Sequence, residues 1–388
     1  MTDNERAQAV VVGGGLTGLA AAVAAAKAGL RTVHLAPKGP PDRRTSALMM
    51  PAVHYLQSAG LIGDPSSVGH ALKQVRIIDA TSRLIRAPET LFDSAEAGLP
   101  AFGWNFSNSK LTEAFTAVAA TLPNLTTREV TLTGLQPGPD GSVLTLSDGS
   151  RLLADLVIGA DGKKSLVREE GDFRARENGF TQAALVCDLE LGRPIGNCSI
   201  EFHYPQGPFT LVPAGDNRAN LVWIDDRAVL EAAKAGGSDG LVQTFLEKSM
   251  RLFGSVSLLT PAHIFPLSTI TVAQAGKNGI VLVGEAAHAF PPIGAQGLNL
   301  GLRDVADLAG TLAAANPGKP GWARDLSLDY AHRRAPDLAR TTGVVDALFR
   351  SLLAEMLPAQ ALRAGGLWAL KTLPILRRKA FGMGMGNR

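Results

Sequence analysis

The chain is poor in cysteine and in net charge. Two cysteines, Cys187 and Cys198, stand among 388 residues. That is too few for a disulfide framework or a structural metal site, so no metal is expected, and a reducing, cytoplasmic setting is. The formal net charge is +3, with basic residues scattered except at Arg377-Arg378-Lys379; this gives no nucleic-acid footprint. No cleavable leader is expected, because Asp3 and Glu5 oppose a basic start and glycines interrupt the would-be apolar segment. Residues 9–26 carry no charge, but three adjacent glycines and weakly apolar alanines argue against a membrane span there. There is also no second complete glycine fingerprint and no tryptophan-x-tryptophan-x-isoleucine element.

What is present begins at the start of the chain. Ala9 to Val12 is a short apolar run. Gly13-Gly14-Gly15-Leu16-Thr17-Gly18 follows, then an alanine-rich segment to Ala28 and an extended stretch from Leu30 to Leu35. This is strand, glycine turn, helix, strand. Gly13 permits the tight turn, Gly15 lets the backbone approach a pyrophosphate, and Gly18 lets helix and strand pack closely. The anion would sit at the helix N-terminus. The second strand ends Leu35-Ala36-Pro37 without the usual ribose-binding acid, and Asp42 lies further on among Lys38, Arg43 and Arg44. This end alone leaves NADP and FAD both open.

At this length a large core and two domains are expected. Residues 44–50 read as the opening of a helix, with a second helix from Ala52 to Ala59. Val75 to Asp79 and Ser82 to Ile85 read as a hairpin. Lys110 to Ala120 reads as an amphipathic helix, with Asn108 either its cap or a cofactor contact. Leu156-Val157-Ile158 is a buried strand that runs into Gly159-Ala160-Asp161-Gly162, followed by Ser165 and Arg168. That places an acid at the ligand edge of an open sheet. After Asp172 the pattern changes to antiparallel strands: 183–191, 198–204, 209–212 and 220–224. Alternation sets Phe202 and Tyr204 on one face and His203 on the other, and either face could meet a substrate. Ile280 to Val283 is another buried strand, leading into Gly284-Glu285-Ala286-Ala287-His288 and a Gly/Pro loop before a helix. His288 is assigned to structure. Residues 322–340 and 342–356 read as two helices, with Pro336 kinking or breaking the first.

Three separated segments together carry a resemblance. They are Gly13 to Gly18, then Gly159 to Gly162 with Ser165 and Arg168, then Gly284 to His288 with Pro291-Pro292, Gly294, Gln296-Gly297 and Asn299. The chain resembles the flavin-dependent aromatic hydroxylases of the p-hydroxybenzoate hydroxylase fold (class A flavoprotein monooxygenases), and most of all the ubiquinone-biosynthesis hydroxylases. Arg44 with Ala47-Leu48, Gly103-Trp104 with Asn108, Gly207-Pro208, Pro266-Leu267, and Pro374 with Gly384 agree with that subgroup.

The resemblance implies an α/β protein. A Rossmann-like FAD-binding domain (1–70, 100–175 and 268–330) would interleave with an antiparallel-sheet substrate domain (71–99 and 176–267), followed by a C-terminal helical region (331–388). It implies FAD contacts at Gly13, Gly15, Leu16, Thr17, Gly18, Arg44, Asn108, Asp161, Gly162, Glu285, Leu298 and Asn299. Pro292, Ile293, Gly294, Ala295, Gln296 and Gly297 would frame the flavin ring. Phe202, Tyr204, Phe209 and Pro291 would line the substrate. NAD(P)H would reduce the flavin, and molecular oxygen would give a C4a-hydroperoxide that hydroxylates an apolar, polyprenylated phenol. Membrane contact through residues 357–381 on the inner face, and membership of a ubiquinone-biosynthesis assembly, would follow from so apolar a substrate. Three positions depart from the family pattern: Ala36 replaces the ribose-binding acid, Glu285 a ribityl-binding aspartate, and Ala295 a commoner glycine. The alternatives are a hydroxylase of a small soluble aromatic and a flavin-poor scaffold or lipid carrier.

Overall fold

The computed structural model describes residues 5–40, 42–82, 86–292, 296–353 and 368. In chain order it begins with β1 (Glu5–Val12), α1 (Leu16–Lys27), β2 (Thr32–Leu35), β3 (Thr45–Met49) and α2 (Met50–Ser58). β4 (Gly69–Leu72), β5 (Gln74–Asp79), β6 (Thr90–Asp93), β7 (Gly103–Ser107) and α3 (Asn108–Ala120) come next. Then come β8 (Leu125–Arg128), β9 (Leu132–Gly138), β10 (Gly141–Leu146), β11 (Arg151–Gly159) and α4 (Leu166–Glu170). The middle of the chain forms β12 (Ala175–Leu191), β13 (Cys198–Tyr204), β14 (Gly207–Pro213), β15 (Arg218–Asp226), α5 (Arg227–Ala235), α6 (Gly237–Lys248), β16 (Val256–Leu258) and β17 (His263–Val272). β18 (Gly276–Lys277), β19 (Ile280–Leu282), β20 (His288–Ala289), α7 (Gln296–Ala314) and α8 (Trp322–Leu353) complete it.

Two large sheets organise these elements. The first has the order β18-β19-β11-β1-β2-β8, with the β9–β10 hairpin attached to β11. β1 pairs in parallel with both β11 and β2, and β11 pairs in parallel with β19. Its central strands are apolar on both faces because both faces are covered. Ala9 and Val11 pack with α1, while Val10 and Val12 pack beneath the β9–β10 hairpin. Helix α1 is alanine-rich because it is enclosed: Ala20, Ala21, Ala22 and Ala25 are fully buried between this sheet and the helices around it.

The second sheet is largely antiparallel, in the order β20-β17-β12-β15-β14-β13-β5-β6, with β16 on β12. Its alternate residues Leu185, Phe202, Phe209, Leu211 and Trp223 pack with Leu230, Leu241 and Phe245 of α5 and α6. A three-stranded sheet, β3-β7-β4, bonds through Met49 to Asn299 of α7 and through Asn105 to Pro213 and Asn220 of the second sheet. Among the described residues no helix is long and apolar enough to cross a membrane.

Three expectations from the sequence are corrected. Residues 45–49 form strand β3, not a helix, because they pair antiparallel with Gly103–Ser107. Strand β5 pairs with β6 and β13 instead of closing a hairpin on 82–85; Arg83, Leu84 and Ile85 lie outside the described residues. The C-terminal pair of helices is one helix, α8, which continues through Pro336.

Candidate active site

Register brings the three sequence motifs to one edge. Val12 stands level with Gly159 on one side and with Leu35 on the other, and Gly159 stands level with Leu282. The carboxyl ends of β1, β2, β11 and β19 therefore share one rim, and the glycine turns follow directly from three of them. This is the rim at which open parallel sheets bind ligands.

The first turn is built by close approach. Gly13 has φ +126°, and a Cβ there would lie 2.2 Å from the Ala160 carbonyl oxygen. A Cβ on Gly18 would lie 2.0 Å from the Gly13 carbonyl oxygen, so helix and turn touch through backbone alone. Gly15 is the opposite case: a Cβ there would meet nothing within 4 Å. Open space thus faces the N-terminus of α1. The first intrahelical bond is Leu19 N–H to Gly15 O, so the amides of Leu16, Thr17 and Gly18 have no acceptor within the helix. Buried His34 holds the turn from behind, with Nε2 donating to the Gly13 carbonyl at 3.0 Å. Burial pushes the His34 pKa below its ordinary value, only partly offset by that bond. Its Nδ1 is buried without a partner.

In the second motif the Asp161 carboxylate is turned inward. It accepts from Ser165 Oγ at 2.5 Å and from the Val167 amide at 3.1 Å. Arg168 leaves Asp161 and donates to the carbonyls of Lys163 and Ala286, joining the second motif to the third. Gly162 has φ +80°, which suits glycine.

Arg44 and Asn108 meet through Asp42. Arg44 forms a two-pronged pair with the Asp42 carboxylate at 2.8 Å, and Asn108 Nδ2 donates to the same group at 2.8 Å. Burial would raise the Asp42 pKa, but the bonds from Arg44 and Asn108 hold it below the usual carboxylate value. The bond to Asp42 raises the Arg44 pKa, and the nearby Glu285 charge adds to this. Loop 42–44 therefore stands beside the third motif. Asn108 is not a side-chain cap of α3: its amide oxygen accepts from Ser46 Oγ at 2.7 Å, and the N-cap position is Ser107.

The third motif is anchored from below. Gly284 has φ +60° and packs on Thr17. Its amide donates to Asp304 at 2.8 Å, and His288 Nε2 bonds the same carboxylate oxygen at 2.6 Å. Fully buried Arg334 pairs with Asp304 at 2.7 Å, Asp307 at 2.7 Å and Asp337 at 2.9 Å. Burial opposes the Arg334 charge, but the surrounding carboxylates outweigh it and raise its pKa. Burial would likewise raise the Asp304 pKa, yet His288 and Arg334 hold it low.

Glu285 is exposed at the rim, Pro291 is buried and Pro292 is exposed. Ile293, Gly294 and Ala295 lie outside the described residues. Gln296 opens α7, and Gly297 and Leu298 are in its first turn. Asn299 clamps strand β3, donating to Ala47 O and accepting from Met49 N, both at 2.8 Å.

The substrate-lining expectation for Phe202, Tyr204 and Phe209 is corrected. Phe202 and Phe209 are fully buried on the helix-covered face of the second sheet, with Phe209 6.0 Å from Phe245 ring to ring. Tyr204 on the same face donates to the Lys248 carbonyl at 2.8 Å. The opposite face carries Glu201, His203, Thr210, Val212 and Val222, all half-buried. Its orientation is fixed by Asn220, which belongs to that face and accepts from Asn105 Nδ2 of β7 at 2.7 Å. The His203 face is therefore the one turned toward the β3-β7-β4 sheet, away from α5 and α6.

Sequence reasoning noted Asp42 without its partners and missed His34, Asp304 and Arg334. A histidine inside the apolar run Val33-His34-Leu35 was a usable signal, and so was the Arg334–Asp337 spacing. The partners of Asp304 lie too far apart in sequence to be paired by spacing.

The rim fits a dinucleotide cofactor: the space before Gly15 lies in front of unpaired amides, in a cradle that a side chain would fill. Comparison with known proteins agrees. Residues 6–344 match the family described as FAD binding domain. The chain is 30% identical to the ubiquinone hydroxylase UbiL of Rhodospirillum rubrum, over 98% of this chain and 90% of that one. It is 28% identical to the 3-demethoxyubiquinol 3-hydroxylase of Escherichia coli, over 99% of each. In structure it resembles the p-nitrophenol 4-monooxygenase PnpA of Pseudomonas putida, with a TM-score of 0.82, 19% identity and 99% of each chain covered. It also resembles PqsL, a probable FAD-dependent monooxygenase of Pseudomonas aeruginosa, with a TM-score of 0.78, 19% identity, and 94% of this chain and 100% of that one covered. The chain belongs to the FAD-binding-domain family of FAD-dependent monooxygenases, within its ubiquinone-biosynthesis hydroxylases.

Proposed function

We propose that the protein hydroxylates the ring of an apolar, polyprenylated phenol in ubiquinone biosynthesis, with FAD as cofactor, NAD(P)H as reductant and molecular oxygen as co-substrate. The observation that carries this is the pairing of a three-turn nucleotide rim with a sheet face bearing half-buried Ile77, Val212 and Val222. The names of the UbiL and Escherichia coli relatives support a ubiquinone-pathway phenol as the substrate.

In this reading the division of labour follows residues 1–70, 100–175 and 268–330 for FAD, and 71–99 and 176–267 for substrate. The amides of Leu16, Thr17 and Gly18, with Gly15 kept bare, hold the pyrophosphate. Arg44 adds charge to that site, and Asn108 acts through Asp42 to orient it. Asp161 and Gly162 hold the second turn in shape. Glu285 accepts from the ribityl hydroxyls. Pro292 and the start of α7 at Gln296, Gly297 and Leu298 frame the ring, and the positive end of the helix favours negative charge on it. Bound FAD supplies the reduction of oxygen and the transfer of one oxygen atom to an electron-rich ring. The substrate face excludes water and positions the ring carbon. Peripheral contact with the inner face of the membrane through residues 357–381, of which only Trp368 is among the described residues, would deliver the substrate. A ubiquinone-biosynthesis assembly is a second route.

The test is anaerobic reduction of the FAD-loaded protein by NADPH, with and without a short-chain polyprenylphenol, followed by exposure to oxygen. Faster reduction and a product heavier by one oxygen atom are expected. If FAD binds but this phenol has neither effect, the polyprenyl substrate is wrong and small soluble aromatics are next. If FAD never binds, the hydroxylase reading fails in favour of a scaffold or lipid carrier.

A further inference from the structure

We propose that His203, oriented by Glu201, is the base that removes the phenolic proton of the substrate. This rests on the phenol-hydroxylase reading above. An electrophilic oxygen adds more readily to a phenolate than to a phenol, because the ionised oxygen pushes electron density into the ring. A protein that performs this reaction at neutral pH gains from a proton acceptor beside the substrate.

The second sheet offers such an acceptor on the correct face. His203 and Glu201 lie two residues apart on β13 and point to the same side. Their Nε2–Oε2 distance is 3.2 Å, and their side chains are 14% and 29% exposed. The register carries this face across β14 and β15, through Thr210 and Val222, to Asn220. Asn220 is the residue bonded to Asn105 of the nucleotide half. The pair therefore lies on the face that bonds the β3-β7-β4 sheet and not on the face covered by α5 and α6.

Three carboxylates on this face are committed elsewhere. Asp79, level with His203 on β5, accepts from the Thr81 hydroxyl and amide and from the Ala87 amide. Asp188 accepts from Asn220. Asp226 accepts from Gln182. His263, on β17, is exposed and lies tilted against Phe265, 6.4 Å ring to ring, without a carboxylate partner. The His203–Glu201 pair holds no neighbouring strand or loop.

The chemistry follows from the tautomer. With Nε2–H donating to Glu201, His203 Nδ1 keeps its lone pair, and no protein group among the described residues bonds it. The phenol O–H bond breaks, an Nδ1–H bond forms, and a phenolate is left facing an imidazolium paired with Glu201. No electrons are transferred in this step. His203 is the catalytic residue, and Glu201 is a positioning residue that acts through it.

The experiment uses the FAD-loaded protein and a 2-alkyl-4-nitrophenol, whose phenolate absorbs at longer wavelength than the phenol. Below the probe's solution pKa, wild type is expected to bind it as the phenolate, while His203→Gln binds it as the neutral phenol. Glu201→Gln is expected to bind a mixture. On an alkylphenol substrate His203→Gln should lose about 100-fold in kcat, with KM changed less than about threefold. Fluorescence quenching of bound FAD checks that each variant is folded, and His203→Asn replaces any that is not. If His203→Gln ionises the probe as wild type does, or hydroxylates at the wild-type rate, the assignment is overturned. If wild type ionises the probe but hydroxylates no phenol, the hydroxylase reading falls and the assignment of the base stands.

Discussion

At the scale of single residues, the two glycines of the first turn make opposite predictions. Gly13→Ala drives a methyl group into the Ala160 carbonyl at a left-handed φ, so it should cost at least about 2 kcal/mol of stability. Gly15→Ala meets nothing in the protein. It should fold within about 1 kcal/mol of wild type but bind FAD at least about tenfold more weakly. Thermal melts of the apoprotein and an FAD titration separate the two outcomes. His34 predicts a pH dependence. Its folded pKa lies below 6.5, so the unfolded chain takes up the proton first. Its contribution is whole above that value and is lost as pH falls from there toward the folded pKa. His34→Gln keeps a donor for Gly13 and cannot titrate. Its melting temperature should therefore fall less than that of wild type between about pH 7 and about pH 5.5. The glycines were legible in the sequence because their constraint is local and spaced. His34 stood out only as a histidine in an apolar run, and its partner was not legible, because that partner is the Gly13 carbonyl in a turn brought close by folding.

At the scale of elements, the carboxylate of Asp304 ties α7 to α8 and to the turn after β19. Asp304→Asn keeps an acceptor for Gly284 but removes a charge facing the buried Arg334. It should cost about 3 kcal/mol or more, measured by chemical denaturation. The same cluster accounts for the continuity of α8. Arg334 and Asp337, on either side of Pro336, are both pinned, to Asp307 and to Arg303 respectively, so the bond missing at the proline does not end the helix. The sequence could suggest a break at Pro336 because it displays the missing amide and not the clamps. Strand β3 was misread for a related reason. Thr45 to Met49 contains no strong helix breaker, and its strand character comes from β7, far along the chain. The central strands β1, β11 and β19, by contrast, announce themselves by unbroken apolar runs ending in glycine.

At the scale of the whole molecule, the nucleotide rim is assembled from segments near residues 13, 44, 161 and 285. A ligand seated there bridges parts of the chain that are separate in sequence and stabilises the folded state by mass action. FAD at about one hundred times its Kd should add about 2.7 kcal/mol. The melting temperature should rise with FAD concentration and keep rising past saturation. A melting temperature unmoved by FAD would argue against this rim as its site.

One further consequence follows from the way β20 is joined to the third motif. The turn Gly284–Ala286 belongs to the nucleotide rim, whereas His288–Ala289 is the edge strand of the other sheet, and only Ala287 separates them. A single residue spans less than about 4 Å, too short a leash for the two halves to slide past each other here. Strand β4 passes to β5 through Lys73 alone in the same way, so the second sheet is held to the rest of the chain by short links near both of its edges.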